Sequence, residues 1–549
     1  MHPNRVLALG LDGFEISLAD ELIDAGLLPV LAKQREHAAR VLLDHAEAGR
    51  TGLAWEHFWS GLSPEAAHRS TPVEFDPATY RAWQEGARFD PFFSTLDVRT
   101  AVFDACYADL RRVPYVDGVA AWGAHDPGLS APLANPAGLL DELVERFGPY
   151  PADKWTYANP WPSVAATEAM GRGLVEGVEI RSRAARWLLT ERFTDWQLGI
   201  VVVAEPHSAA EALWHGVDAG HPLHAHPSAR AAREGIVATY EAVDRLVGEL
   251  IEATAPASAV VFSMGGMGPN FSDVTSMVLL PELVFRWALG ETLLEVPDEW
   301  RATPEQPPDP GGARSSWSRA WYPSLADAPS RGRGNRVVGA LPGPLRRRVR
   351  EQRSARRARG RATGFQDLGW QPSTWYHDRW PEMRAFALPS LYDGRVRINL
   401  RGREASGLVD PADYDAVCDE IEQLARDCVD PRTGEGVVRL IERPSRGRDP
   451  RDLPGGSADV VISWHGGAFG LRHPVHGLVG PVPYRRTGGH TGPHGFASVS
   501  APGVIGGEHG VRSAFDVAPT IVDLLGAPPV DGLSGSTFLD AVQVAPSNA

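Results

Sequence analysis

In the stretch His207-Ser208-Ala209-Ala210-Glu211 an imidazole and a carboxylate stand four residues apart. On a helix that spacing puts both on one face, so the pair could grip a single cation. His215, four residues further on, either joins them or faces the sheet. Asp12 is a second candidate: it ends the apolar run RVLALGLDG of residues 5–13, and open α/β sheets gather ligands beyond the carboxyl ends of their strands. The competing reading makes Asp12 a cap for a helix beginning near Glu15. Three more histidines, His221, His224 and His226, crowd the segment HPLHAHP. In a proline-rich loop they read as solvated side chains rather than as a metal site.

These groups need elements to hold them. The run at 5–13 does not alternate polar and apolar positions, as expected of a strand buried on both faces of a sheet. Residues 15–48 carry a helical pattern and then the strand-like ARVLLDHA, together one βαβ step. Further strands are expected at 99–105, 196–204, 259–263 and 459–464, the last returning the chain to the core. Helices are expected over 163–191 and 411–428, and a surface loop over 113–136. The glycine-rich Met264-Gly265-Gly266-Met267-Gly268 follows a strand and so reaches the same sheet edge. Residues 297–330, rich in Pro, Gly and Ser, read as a mobile connection. The arginine-rich stretch 345–361 reads as a solvated helical face paired with the protein's own carboxylates, rather than as a site for an anionic partner or a membrane surface.

A chain of 549 residues is long for one core, so one large domain with insertions, or two lobes, is expected. A net charge of −15 argues against general nucleic-acid binding, which draws its affinity from neutralising phosphates. Cys106, Cys418 and Cys428 are too few and too scattered for a disulfide framework or a thiolate metal site. The first residues pass straight into the first strand without a separate apolar stretch and cleavage site, and no apolar run approaches the roughly 18 residues of a spanning helix. A cytoplasmic protein without a membrane span is the expectation.

Residues 49–70, GRTGLAWEHFWSGLSPEAAHRS, resemble the nucleophile segment of the alkaline phosphatase superfamily, in its type I phosphodiesterase and nucleotide pyrophosphatase branch. Thr51 precedes Gly61 of Ser60-Gly61-Leu62-Ser63-Pro64 by ten residues, as the nucleophile does the glycine of a Thr-Gly-Leu-x-Pro turn in that branch. The block RVRINLRGREASGLV at 395–409 and the closing DVAPTIVDLLGAPPVDGLSG at 516–535 are similar to further segments of the same branch. The resemblance implies a three-layer αβα sandwich built from residues 1–275 and 455–549, with an inserted cap at 276–454. It also implies two divalent metals, usually zinc, around a threonine or serine nucleophile. One metal lowers the nucleophile's pKa while the other offsets charge on the ester oxygens.

Mapped on that pattern, Thr51 is the nucleophile, and Asp12 is a ligand, an orienting group or the base. The first-metal site is broken. Where the branch has Ser-Asp-His-Gly, this chain has Ser263-Met264-Gly265-Gly266, and a hard cation held by one carboxylate and one hydroxyl binds poorly. At the second site an Asp-x-x-x-His element becomes His207 to Glu211, with the order of imidazole and carboxylate exchanged. The late histidine maps onto His490, with His494 as a rival. Two histidines and a glutamate make an open zinc site. Arg50 could meet an anionic group bidentately, with Arg485 and Arg486 as weaker candidates. The resulting expectation is a phosphoryl- or sulfuryl-ester hydrolase or transferase acting on a small anionic ester, with at most one tightly bound divalent ion, zinc. The alternatives are a non-catalytic relative that binds an anionic ligand or partner, and a metal-independent group-transfer enzyme.

Overall fold

The computed structural model describes residues 5–45, 51–123, 132–151, 163–309, 317 and 365–542. Along the chain come β1 (Val6–Leu11), α1 (Ile16–Asp24), α2 (Pro29–His37), β2 (Ala39–Asp44), α3 (Ala54–Ser60), α4 (Pro64–Ala67), β3 (Val73–Asp76), β4 (Arg81–Glu85), β5 (Thr100–Ala105), β6 (Val116–Ala120) and β7 (Leu133–Asn135). Then follow α5 (Leu139–Phe147), α6 (Val164–Trp187), β8 (Leu198–Val203), α7 (Glu205–Leu213), α8 (Ala229–Thr254), β9 (Ser258–Ser263), β10 (Gly266–Pro269), α9 (Leu280–Leu289) and α10 (Asp298–Ala302). The remainder holds β11 (Phe365–Asp367), β12 (Ala385–Leu388), β13 (Gly394–Ile398), α11 (Tyr414–Arg426), β14 (Val438–Glu442), β15 (Val460–Trp464), β16 (Leu471–His473), β17 (Gly477–Val479), β18 (Gly488–Gly492), β19 (Gly495–Ser500), β20 (Gly507–Ser513), α12 (Val517–Leu524) and α13 (Leu539–Val542).

A nine-stranded sheet in the order β20-β2-β19-β9-β1-β8-β5-β6-β7 forms the middle layer, with β1 at its centre. Only β19 and β7 run against the other strands. Leu7, Leu9 and Leu11 of β1 enter one hydrophobic core with α1, α2, α6, α7 and α8. Val6 and Ala8 enter another with α3 and α12. Both faces of the strand are therefore dry, which is why its sequence is uniformly apolar: each buried leucine contributes about 1.5–3 kcal/mol. The expected three-layer α/β sandwich is present.

A third core belongs to a second lobe. The four-stranded sheet β12-β13-β15-β14 packs with α9 and α11 and also takes in Phe75 and Tyr80 from the β3–β4 hairpin. Strand 459–464 was expected in the central sheet; instead β15 pairs with β13 and β14, and the chain rejoins the main sheet at β19. An apolar run specifies a buried strand without specifying which sheet buries it. Two further expectations change. The single helix read after residue 15 is two helices, because Pro29 has no N–H to continue one and starts α2 instead. The surface loop read over 113–136 contains the buried β6, parallel to β5, and the edge strand β7. Residues 124–131 of that stretch, the basic stretch 345–361, most of the connection at 297–330, and Arg50 lie outside the described residues.

Candidate functional site

Asp12 follows β1 directly, and its backbone N–H donates to the Val203 carbonyl at 2.8 Å, so the parallel ends of β1 and β8 are pinned side by side. The residue is 8% exposed. The cap of α1 is Glu15 and not Asp12: the Glu15 carboxylate accepts from the Ser17 N–H at 3.2 Å, the Ser17 hydroxyl at 2.7 Å and the Met267 N–H at 2.6 Å. This leaves Asp12 to face His207, whose Nδ1 is 3.3 Å from Asp12 Oδ2. Gly13, at φ +56°, makes the approach possible, since a Cβ there would stand 2.8 Å from the His207 Cα.

The helix α7 begins immediately after β8 and carries both members of the His-x-x-x-Glu element on one face. His207 Nε2 lies 3.0 Å from Glu211 Oε1 and 3.1 Å from His490 Nε2. His490 arrives on β18, which pairs with β10 in a two-stranded ribbon just beyond the end of β9. The ligand atoms of His207, Glu211 and His490 all fall within 4.8 Å of one another. Tetrahedral zinc with bonds of 2.0–2.2 Å separates its ligands by about 3.3 Å, close to the two spacings from His207, while the trio as a whole spans up to 4.8 Å. The chemistry of the donors agrees in part: Glu211 Oε2 is buried without a hydrogen bond, while Oε1 is already met by His207 and by Arg486. Burial, and then the neighbouring His207, hold His490 down to about 3, in the neutral form that ligates. With Asp12 on the far nitrogen of His207, the ring has the carboxylate partner that orients metal-bound imidazoles.

Arg486 complicates this trio. Its Nη1 closes directly on Glu211 Oε1, while Nε and Nη2 fork onto Asp273 at 2.7 and 3.0 Å. Arg485 meets the same Asp273 at 2.8 Å. The two arginines read from sequence as anion binders are thus engaged with the protein's own buried carboxylates.

Thr51 lies three residues ahead of α3, 7% exposed, and its hydroxyl accepts from the Leu53 N–H at 3.1 Å. A side chain of the second lobe spans from this segment to the histidines. Tyr392 lies over Gly52, where φ is +73° and a Cβ would come 2.7 Å from the tyrosine ring. The same ring stands 5.7 Å from that of His490.

The weaker ligand candidates fall elsewhere. His215 is fully buried, with Nε2 3.0 Å from the Ser228 hydroxyl and Nδ1 3.4 Å from that of Thr487, outside the trio. His494 occupies the turn between β18 and β19, near the Glu15 carboxylate. Of the loop histidines only His221 is buried, its Nδ1 accepting from the Leu223 N–H; His224 is exposed and His226 half-buried, with Nδ1 of His224 on the His215 carbonyl and Nδ1 of His226 on the Ser228 hydroxyl. Met264 is 3% exposed and packs in the same core as α3.

Three contributors are not evident from the sequence. Tyr392 and Asp273 meet the site only through tertiary contacts. The third is a buried network at the root of α7: Arg181 of α6 donates to Glu205 at 2.9–3.1 Å and to Asp104 at 2.6 Å, with all three side chains fully buried. Four arginines and three glutamates share residues 164–187, so no local signal singles out Arg181 for this pairing.

No protein-family model and no curated protein matches this chain. Among solved structures, phosphonoacetate hydrolase from Sinorhizobium meliloti 1021, in complex with phosphonoformate, is similar at 14% identity and a TM-score of 0.45, covering 96% of each chain. Murine ectonucleotide pyrophosphatase/phosphodiesterase 5, in an inactive form with AMP, is similar at 10% identity and 0.46, covering 98% of this chain and 100% of that one. The human counterpart stands at 9% and 0.46, with the same coverage. Scores below 0.5 are too low to carry an assignment.

Proposed function

We propose that this chain is a hydrolase or transferase of small anionic phosphoryl or sulfuryl esters, with Thr51 as covalent nucleophile and one divalent ion held by His207, Glu211 and His490. The observation that carries the reading is the convergence of those three ligand atoms within 4.8 Å, beside the Asp12 end of the central strand. Bound there, zinc would supply a Lewis acid to offset negative charge on an ester oxygen. The Thr51 oxygen bonds to phosphorus or sulfur as the bond to the leaving oxygen breaks, and water or another acceptor then releases the group. Asp12, with one oxygen on His207, is the carboxylate offered for the Thr51 proton. The second lobe acts as a cap that shapes substrate choice.

A second reading is favoured by the Arg486 contact with Glu211: a metal-free relative in which the arginine takes the place of the cation and the pocket only binds anions. Metal content and turnover separate the two. Zinc-treated protein should hold one equivalent per chain and cleave an activated aryl phosphodiester or sulfate. Thr51→Ala should remove that turnover by at least a hundredfold while costing only about 0.5–2 kcal/mol of stability. Absence of bound metal together with absence of turnover on any such ester would leave the anion-binding reading.

A further inference from the structure

Arg486 stands in the loop before β18, where the Thr487 N–H donates to the Glu211 carbonyl at 2.8 Å and fixes that loop alongside α7. Its guanidinium spans two buried carboxylates, with Nη1 on Glu211 and Nε and Nη2 forked onto Asp273. The two ends of that span differ. Asp273 has a second cation, Arg485, which donates to it at 2.8 Å and is itself held over the Trp370 ring at 5.3 Å. Glu211 has no other arginine or lysine partner among the described residues, and its Oε2 is buried without a hydrogen bond. Charge decides what such a site takes in. Around the trio the carboxylates of Asp12, Glu211 and Asp273 face the guanidiniums of Arg485 and Arg486, all with side chains at most 10% exposed. Counting the imidazoles as neutral, which metal ligands must be, these groups sum to one negative charge, and a divalent ion turns it into one positive charge. An uncompensated buried charge is costly, so an ion held there favours an anion beside it.

We propose that Arg486 couples the two. It neutralises Glu211 in the protein without metal; when Glu211 ligates a divalent ion, the fork onto Asp273 keeps the guanidinium in place, and Nη1, relieved of Glu211, donates to an oxygen of the phosphoryl or sulfuryl group. The proposal rests on the reading of His207, Glu211 and His490 as a metal site. Ion and anion then bind cooperatively, each tightening the other by the same factor. A lysine could not take this role, because one ammonium group cannot fork onto Asp273 and reach an anion at the same time.

Zinc affinity of the full chain, read by competition with a chromophoric chelator with and without inorganic phosphate at constant chloride, tests this. Calorimetry of phosphate binding with and without zinc is the reciprocal arm. In the wild-type protein phosphate should tighten zinc at least tenfold, and zinc should tighten phosphate by the same factor. Phosphate can also touch the ion directly, so the variants carry the assignment to Arg486. In Arg486→Met the coupling should fall below threefold, and in Arg486→Lys it should fall at least threefold short of the wild-type value. A wild-type coupling below threefold with zinc bound, or a coupling unchanged in either folded variant, would overturn the role of Arg486 while leaving the metal site standing. Zinc held no more tightly by the wild type than by His490→Ala, with or without phosphate, would overturn the metal site and the proposal with it.

Discussion

Glu211 has two claimants, a cation between the histidines and the Arg486 guanidinium that touches it. A carboxylate shared with an arginine gives up part of its charge to that partner, so Arg486 weakens the site as a metal ligand set. Removing it need not expose Asp273, which keeps its bond from Arg485. Arg486→Met should therefore tighten zinc binding, by about tenfold or 1.4 kcal/mol, measured by competition with a chromophoric chelator; weaker binding in the variant would show that the arginine supports the site. Three other histidines bear on stability. Burial holds His45 down to about 4, and His57 and His215 to about 3, from 6.5. Between 6.5 and those values the unfolded chain takes up protons that the native imidazoles refuse, so stability is full above pH 6.5 and falls as the pH drops. Each histidine adds a slope of up to about 1.4 kcal/mol per pH unit. Urea midpoints should be level above pH 7 and fall steeply from pH 6.5 toward 4; a flat profile across that range would contradict the buried neutral assignment.

Helix α7 and the loop after β9 set what the sheet edge can hold. The α7 ligands are placed by the first turn of their helix, which Arg181 ties to the ends of β5 and β8 through Glu205, Asp104 and the Val202 carbonyl. In the loop after β9, Met264 and Gly265 occupy the positions where the resembled branch has an aspartate and a histidine of its first metal site. Gly265 has room: a Cβ there meets nothing within 4 Å. Met264 has none to spare, being 3% exposed in an apolar core, so an aspartate at that position is a buried charge that needs a counter-ion. Met264→Asp with Gly265→His should lower stability by about 2–4 kcal/mol without metal and recover most of it with zinc, at a stoichiometry of two per chain. Calorimetric unfolding with and without zinc, together with elemental analysis, reads both effects. Loss of stability with no zinc response would mean that the pocket no longer has the geometry for a second ion.

Across the whole molecule the site depends on segments far apart in the chain: the β1 end, α7, the β10–β18 ribbon and the second lobe's Tyr392. A ligand that binds only this assembled arrangement stabilises it by about 2.7 kcal/mol at a hundredfold excess over its dissociation constant. Zinc should therefore raise the unfolding temperature by a few degrees, a chelator should reverse the shift, and His490→Ala should abolish it in differential scanning calorimetry. A shift that survives His490→Ala would place the ion elsewhere. Much of this arrangement is legible locally. The apolar run ending in Asp12 made β1 and put a carboxylate at the sheet edge, and the four-residue spacing put His207 and Glu211 on one helical face. The loop after β9 shows a thioether at Met264 and no side chain at Gly265, the ground for expecting at most one tightly bound ion. Such features depend on neighbours within a few residues, whose propensities and periodicity the sequence displays directly. Tertiary structure alone decided that His490 rather than His494 meets His207, because the β10–β18 register fixes which histidine reaches the site across 283 residues. It also decided that Glu211 meets Arg486, that β15 joins the second lobe, and that Tyr392 reaches Gly52. Pairing register and side-chain contacts between distant segments are set by how whole layers pack, and no local pattern in the sequence records them.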